Sequence, residues 1–465
     1  CSLVGSEMCI RDRSFDRELT PEGIFEIQMD IARAIATALA ATLAPREPGS
    51  DRDRIPTQNQ AAYDLYLQAR AIPRTFLSSN IDRRIELYKQ AVQLDPDFAL
   101  AIGEIGYQYC ERYWFETRSP EDRAESRGWI ERALALAPEE PRLLWIWAEH
   151  LYHGYFDYDG ALEVLEKVEE GMPGSVDLYS LRGNIFRRSG RSAEGIAEAE
   201  KAMLLDPRNR AYIADHIYSF IYTGDPFNAR RIADRLRALP DLSPSLQFWV
   251  HCYELYLLGE TQAVSRSLEG VTVEDMGIFQ FFFVEVPFLE RRFDDALAML
   301  EKMPDDPISF QYISWPHSHV RARINHASGN IDHARQEAEL ALAELDALIA
   351  AQPEDARPVA SRALMLAILG RDREARDEAI RATELYPITQ DVPTAAAYHA
   401  NRLRVLAIVG ESDELAEELA KYLALEAKLE HIDYLFLDPV FDRHREHEAI
   451  KAFENQYTFR GRESY

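Results

Sequence analysis

Apolar positions recur along this chain at helical spacing, in paired stripes that glycines separate and prolines close. The 34-residue step from Pro173 to Pro207 shows the unit clearly. Val176, Tyr179, Gly183 and Phe186 fall on one stripe, and Gly190 interrupts it. Ile196, Ala199 and Ala202 form a second stripe that stops at Leu205-Asp206-Pro207. The pattern predicts a helix, a turn and a second helix. Small residues let the two helices cross closely, and the proline ends the second because it cannot donate a backbone bond.

The unit recurs in both directions. Upstream, Tyr88, Ala91 and Leu94-Asp95-Pro96 end one copy. Ala99, Ile102, Ile105, Gly106 and Tyr109 open the next, which closes with Ile130, Ala133 and Pro138; a third ends in Ala161, Leu165 and Pro173. Downstream, Gly224, Ala229 and Pro240 mark another, as do Gly329, Ala334 and Ala341. Gly370, Ala375, Ala382 and Pro387 give a clean copy, and Gly410, Leu415 and Leu419 a degenerate one. Between 241 and 308 the phase weakens, leaving fragments at Gly259 and at Phe293-Asp294-Asp295-Ala296. Pro96 and Pro138 stand 42 residues apart, and the surplus is expected to lengthen the hairpin around Phe115 to Asp122.

Period and residue types resemble the tetratricopeptide repeat (TPR). The resemblance implies an all-α, right-handed solenoid of about 8–10 helix hairpins over 59–428, with a C-terminal cap over 429–465. It also implies a protein-interaction scaffold, with a peptide or helix of a partner lying in the concave groove. In such repeats the second, fifth, ninth and twelfth residues of the first helices face that groove. This phase selects Trp145, Glu149, Tyr152, Asn184, Arg187, Tyr218, Tyr222, Trp249, Tyr253 and Tyr256. Aromatic anchors bury much area at low entropy cost, and Asn184 with Arg187 suits a peptide backbone or carboxylate. Any one of these rings could equally pack inside its helix pair.

The N-terminal region reads differently. Residues 1–13, with Leu3-Val4-Gly5-Ser6-Glu7-Met8-Cys9-Ile10-Arg11-Asp12, resemble a translated sequencing adapter and are set aside as non-native. Residues 14–46 resemble the closing strand and last helix of a TolB-like α/β domain, so a truncated domain is expected there. Ile24, Ile27, Ile31, Ile35 and Leu39 form an apolar stripe without a partner, which predicts a tendency to self-association. A polar Pro/Gly linker follows over 47–58. In bacterial signalling proteins of this kind the repeats follow an adenylate or guanylate cyclase, a winged-helix domain or a kinase. The alternative reading is therefore a fragment of a nucleotide cyclase or DNA-binding transcription regulator. Such regions lie on either the cytoplasmic or the periplasmic side of the inner membrane, so the resemblance leaves the compartment unknown.

Composition narrows the partners. The 465 residues carry 79 acidic against 52 basic side chains, a formal net charge of −27, which opposes binding to phosphate backbones or anionic lipid. Four cysteines are too few for a disulfide scaffold, and Cys110 and Cys252 read as small core residues. Phosphate-binding loops, nucleophile elbows and paired-cysteine motifs do not occur. His444, His447 and Glu448 read as part of a solvated final helix, and His317 and His319 as cap or surface groups. No catalytic, cofactor-binding or metal residue is expected.

Overall fold

The computed structural model describes residues 56–72, 78–304 and 307–459. The segment 1–13 and the strand and helix expected over 14–46 lie outside them. The described residues are almost entirely helical, arranged as successive antiparallel helix hairpins.

Helices of eight or more residues are numbered in chain order. The first half pairs α1 (Gln60–Ala71) with α2 (Ser78–Leu94), α3 (Ala99–Arg112) with α4 (Pro120–Leu136), and α5 (Pro141–His150) with α6 (Tyr158–Gly171). It continues with α7 (Val176–Arg188) and α8 (Ser192–Leu205), then α9 (Arg210–Thr223) and α10 (Pro226–Arg237). Next comes α11 (Pro244–Leu258), whose companion is only the short helix Gln262–Ser267. The second half pairs α12 (Phe282–Leu289) with α13 (Phe293–Leu300), α14 (His317–Ala327) with α15 (Ile331–Ala351), and α16 (Ala356–Ile368) with α17 (Asp372–Leu385). The last pair is α18 (Val392–Val409) and α19 (Ser412–Leu423), with α20 (Glu448–Tyr457) behind it.

Local chemistry explains the boundaries. Ser175, Asn209 and Asp391 each cap the start of a first helix, accepting from Leu178, Tyr212 and Thr394 amides respectively. Gly190 and Gly224 end first helices at φ +83° and +68°, a left-handed turn that glycine adopts without a Cβ clash. In the two hairpins before α7 that place is held by Arg118 and Phe156, at φ 53° and 56°. Each follows a wide turn of π-helix, Tyr113–Thr117 and Leu151–Tyr155. The long 42-residue step is thus absorbed where expected, at the end of a first helix.

The weak phase between 241 and 308 also has a physical cause. The chain leaves the repeat there through short helical turns and then makes an antiparallel β-hairpin, Ile308–Phe310 with Ile313–Trp315. The hairpin was not expected from the sequence. Its three-residue strands are too short to show an alternating pattern against the helical background.

First and second helices differ in burial. In α17 only Ala375, Ala379 and Ala382 are buried, the single stripe of an outer helix. In α16 every residue but Arg362 is buried. The same holds for α3 from Ala101 to Glu111. A first helix buried on all sides must have something opposite its inner face. For α16 the other half of the chain supplies it, where Arg357 donates to the Glu116 and Thr117 carbonyls.

Candidate interaction face

The inner face is where the two halves meet, and ion pairs and rings join them. Arg188, at the end of α7, donates from Nη1 to Asp391 Oδ2 at 2.6 Å and from Nη2 to Gln311 Oε1 at 2.6 Å. Tyr158 Oη donates to the same Asp391 oxygen at 2.7 Å. Trp114, on the first π-turn, lies 4.7 Å from the Arg188 guanidinium. Phe156, after the second, meets Tyr386 edge-on at 5.3 Å. The two lengthened hairpins thus reach the second half, as does the end of α7.

Arg357 forms a second seam. Its guanidinium pairs with Asp355 and donates to the carbonyls of Glu116, Thr117 and Phe310, tying a π-turn and the β-hairpin to α16. A third seam is the irregular segment 427–434, which crosses the C-terminal ends of α9 and α11. The Lys428 amide donates to the Tyr222 carbonyl at 3.1 Å. His431 Nε2 bonds the Ile221 carbonyl at 2.7 Å. These two contacts satisfy carbonyls that a helix end leaves open. Burial lowers the Lys428 ammonium to about 8, and burial with the Lys428 charge lowers His431 to about 4.

Of the ten residues selected from the sequence, eight are buried. Trp145, Glu149, Tyr152, Arg187, Tyr218, Tyr222, Tyr253 and Tyr256 are between 2% and 8% exposed, whereas Asn184 and Trp249 are half-buried. The structure brings together Tyr218, Tyr222, Trp249 and Tyr256: Tyr218 lies 4.4 Å from Trp249 and 6.0 Å from Tyr222. Tyr256 in turn packs at 5.0 Å, tilted by 40°, on Tyr434 of the crossing segment. Arg187 grips Asp215 and Ser219 on α9 and faces the Tyr222 ring. Trp145 stands apart, donating to the Asp177 carbonyl and packing on Tyr107. Tyr152 packs on Trp114 and Tyr158, Glu149 pairs with His153, and the Tyr253 hydroxyl donates to Glu254.

Two histidines sit differently from expectation. His444 is 3% exposed, bonding Ser412 and the Ala407 carbonyl from a 3₁₀ turn rather than from a solvated helix. His319 is 1% exposed, parallel to Trp315, rather than a cap or surface group. Neither turn is recognisable by apolar spacing, because the partners come from distant parts of the chain. Cys110 and Cys252 are buried and free, as expected.

Sequence reasoning also missed a polar ladder that it could have found. Arg142, Asp177 and Tyr212 are successive 35-residue equivalents on α5, α7 and α9. Arg142 bonds Glu104 of α3 at 2.8 Å, and Tyr212 donates to Asp177. One repeat interval relating three polar residues was the available signal. Among the described residues no His/Cys/Asp/Glu group could hold a metal, and no helix is long and apolar enough to cross a membrane.

No protein-family model and no curated protein matches the chain. Among solved structures it is similar to MamA from Desulfovibrio magneticus RS-1, at 16% identity and TM-score 0.28, over 39% of this chain and 96% of that one. It is similar to pilF of Pseudomonas aeruginosa at 14% identity and TM-score 0.32, over 49% and 98%. YrrB, described as a TPR protein with an unusual peptide-binding site, matches at 16% identity and TM-score 0.26, over 40% and 87%. Resemblance at this level carries no inference about a site or a partner.

Proposed function

We propose that the chain is a protein-interaction scaffold whose inner face holds a polypeptide segment, with residues 427–434 as the chain's own occupant. The observation that carries this reading is the contact of that segment with the expected groove residues: the Lys428 amide on the Tyr222 carbonyl and the Tyr434 ring on Tyr256. A partner would use the same face by displacing the segment, with Asn184, Trp249 and the rings beneath it as contacts. Backbone hydrogen bonds and aromatic stacking are the chemistry by which grooves take peptides.

A synthetic peptide of residues 425–438, labelled and titrated into the full chain, tests this. Tyr434→Ala should loosen the internal segment and raise peptide affinity at least about tenfold over the parent, since losing a buried ring contact is worth 1.4 kcal/mol or more. Absence of binding to both proteins, with the helical signal intact, rejects the reading.

In the wider setting, this scaffold is the regulatory half of a bacterial signalling protein whose output lies upstream. The competing possibility is a fragment of a cyclase or DNA-binding regulator. In both settings the chain itself carries no catalysis, and conversion of ATP to cyclic AMP by the purified chain would overturn that. Nucleic acid and membrane are not partners of this region in the proposal, and no cofactor is assigned. Self-association through 22–44 remains part of it, and unchanged oligomeric state after removal of residues 1–50 would discard that part.

A further inference from the structure

The crossing segment meets the first half at two glycines that stand 35 residues apart, one repeat. Gly224 and Gly259 end α9 and α11 in the left-handed region, at φ +68° and +62°. A side chain on either would collide with the segment. A Cβ on Gly224 would lie 2.9 Å from His431 Cε1, and one on Gly259 would lie 2.6 Å from the Asp433 carbonyl oxygen. Gly329 and Gly370 end first helices in the same conformation, at φ +84° and +74°, yet a Cβ there meets nothing within 4 Å. Glycine suits the turn at all four places. At Gly224 and Gly259 the missing side chain also makes a notch in which another stretch of chain lies.

The occupant of these notches has a definite chemistry. His431 Nε2 lies 2.7 Å from the Ile221 carbonyl, and a carbonyl only accepts, so Nε2 carries the proton and donates. The imidazole thereby satisfies a helix-end carbonyl of α9 and fills the space over Gly224. An imidazole donates there uncharged, whereas lysine or arginine would bring a charge into an interior site. The helical turn Ile432–Leu435 follows. His431 and Tyr434 are three residues apart, the interval that brings side chains to one side of a turn. Tyr434 joins the core around α9 and α11, on Tyr256, whereas Ile432 and Leu435 join the core of α18 and α19. Asp433 offers its main chain to Gly259, while its carboxylate accepts from the Thr458 hydroxyl and the Phe459 amide.

We propose that the inner face recognises its partner by one helical turn of the form His-apolar-x-aromatic-apolar, which takes the places of His431 to Leu435. The histidine donates to the Ile221 carbonyl over Gly224, the main chain two residues on crosses Gly259, and the aromatic ring packs on Tyr256. The ends of two neighbouring first helices hold the notches, so the register is fixed. This specificity rests on the inner face holding a polypeptide segment, as proposed above, and adds the sequence class of that segment.

The experiment titrates labelled peptides of residues 425–438 into the full chain carrying Tyr434→Ala, with binding read by fluorescence anisotropy. The parent peptide should bind. His431→Ala in the peptide should weaken binding at least about tenfold, through loss of a buried hydrogen bond and of the ring over the notch. A peptide with His431 and Tyr434 exchanged keeps length and composition and should bind no better than that one. In the receptor, adding Gly224→Ala should weaken the parent peptide at least about tenfold, whereas adding Gly370→Ala, which imposes the same left-handed strain with nothing opposite, should leave affinity unchanged. That pair separates a filled notch from a general loss of fold. If the parent peptide binds and the exchanged peptide matches it, the register is overturned while the scaffold function stands. Equal affinities for the two glycine variants would overturn it too. If no peptide binds any receptor with the helical signal intact, the scaffold function falls and the register with it.

Discussion

Arg188 and Asp391 stand 203 residues apart and share a 2.6 Å ion pair whose side chains are 6% and 0% exposed. Asp391 also accepts the Thr394 amide at the start of α18, so one carboxylate caps a helix and joins the halves. In a linear solenoid each repeat touches only its neighbours. This pair, with Arg357 and His431, makes the inner face a shared core.

Arg357 supports carbonyls from two remote segments. Arg357→Met should cost about 2–4 kcal/mol, since several buried acceptors lose their donor together. Hydrogen exchange should rise in both 113–118 and 308–315. A stability loss without exchange at those two places would contradict the assignment.

Two glycines give opposite expectations. A Cβ on Gly106 would lie 2.6 Å from Ile130 Cγ1 and 2.9 Å from the Ser126 carbonyl, whereas one on Gly128 meets nothing within 4 Å. Gly106→Ala should destabilise by about 1–3 kcal/mol through overpacking. Gly128→Ala, on the exposed face of α4, should stabilise by about 0.5–1 kcal/mol. Urea midpoints of the two variants check this, and the same sign for both would show the α3–α4 contact to be misplaced.

Acid should weaken the fold. Burial brings His150, His216 and His431 to about 4, against an ordinary 6.5, and in His216 it outweighs the opposing charge of Asp215. Between those values the unfolded chain takes up protons that the folded one refuses. Stability is therefore full above pH 6.5 and falls as pH drops toward 4, by up to about 1.4 kcal/mol per unit for each histidine. Both His216 ring nitrogens lack a hydrogen-bond partner, so His216→Leu should flatten the dependence of the urea midpoint on pH. An unaltered slope would show that His216 does not contribute.

Trp249 and Tyr253 separate surface from core on one helix. Tyr253 is 5% exposed and Trp249 half-buried. Tyr253→Ala should cost about 3–5 kcal/mol, as for other large core truncations, and Trp249→Ala less. Equal losses in thermal unfolding would place both rings in the core.

The repeat was legible because its signals are local. Gly190, Ala199 and Pro207 state a turn, a close crossing and a stop within one 34-residue window. Closure was not legible, because Arg188 and Asp391 look like ordinary surface charges in sequence. Nothing in the spacing of Tyr222 and Tyr256 reveals that Lys428 and Tyr434 lie against them. Phase along the first helices says nothing of what lies opposite them, and the contacts of Arg188 with Asp391 and of Tyr256 with Tyr434 come from distant parts of the chain.

A double-mutant cycle on Arg188→Met and Asp391→Leu, read by urea unfolding, tests closure most directly. The closed structure predicts single losses of about 3–5 kcal/mol and a double loss well below their sum, a coupling of about 2 kcal/mol or more. Two small, additive losses of under about 0.5 kcal/mol would mean that the halves do not meet, and that the inner face is an open groove.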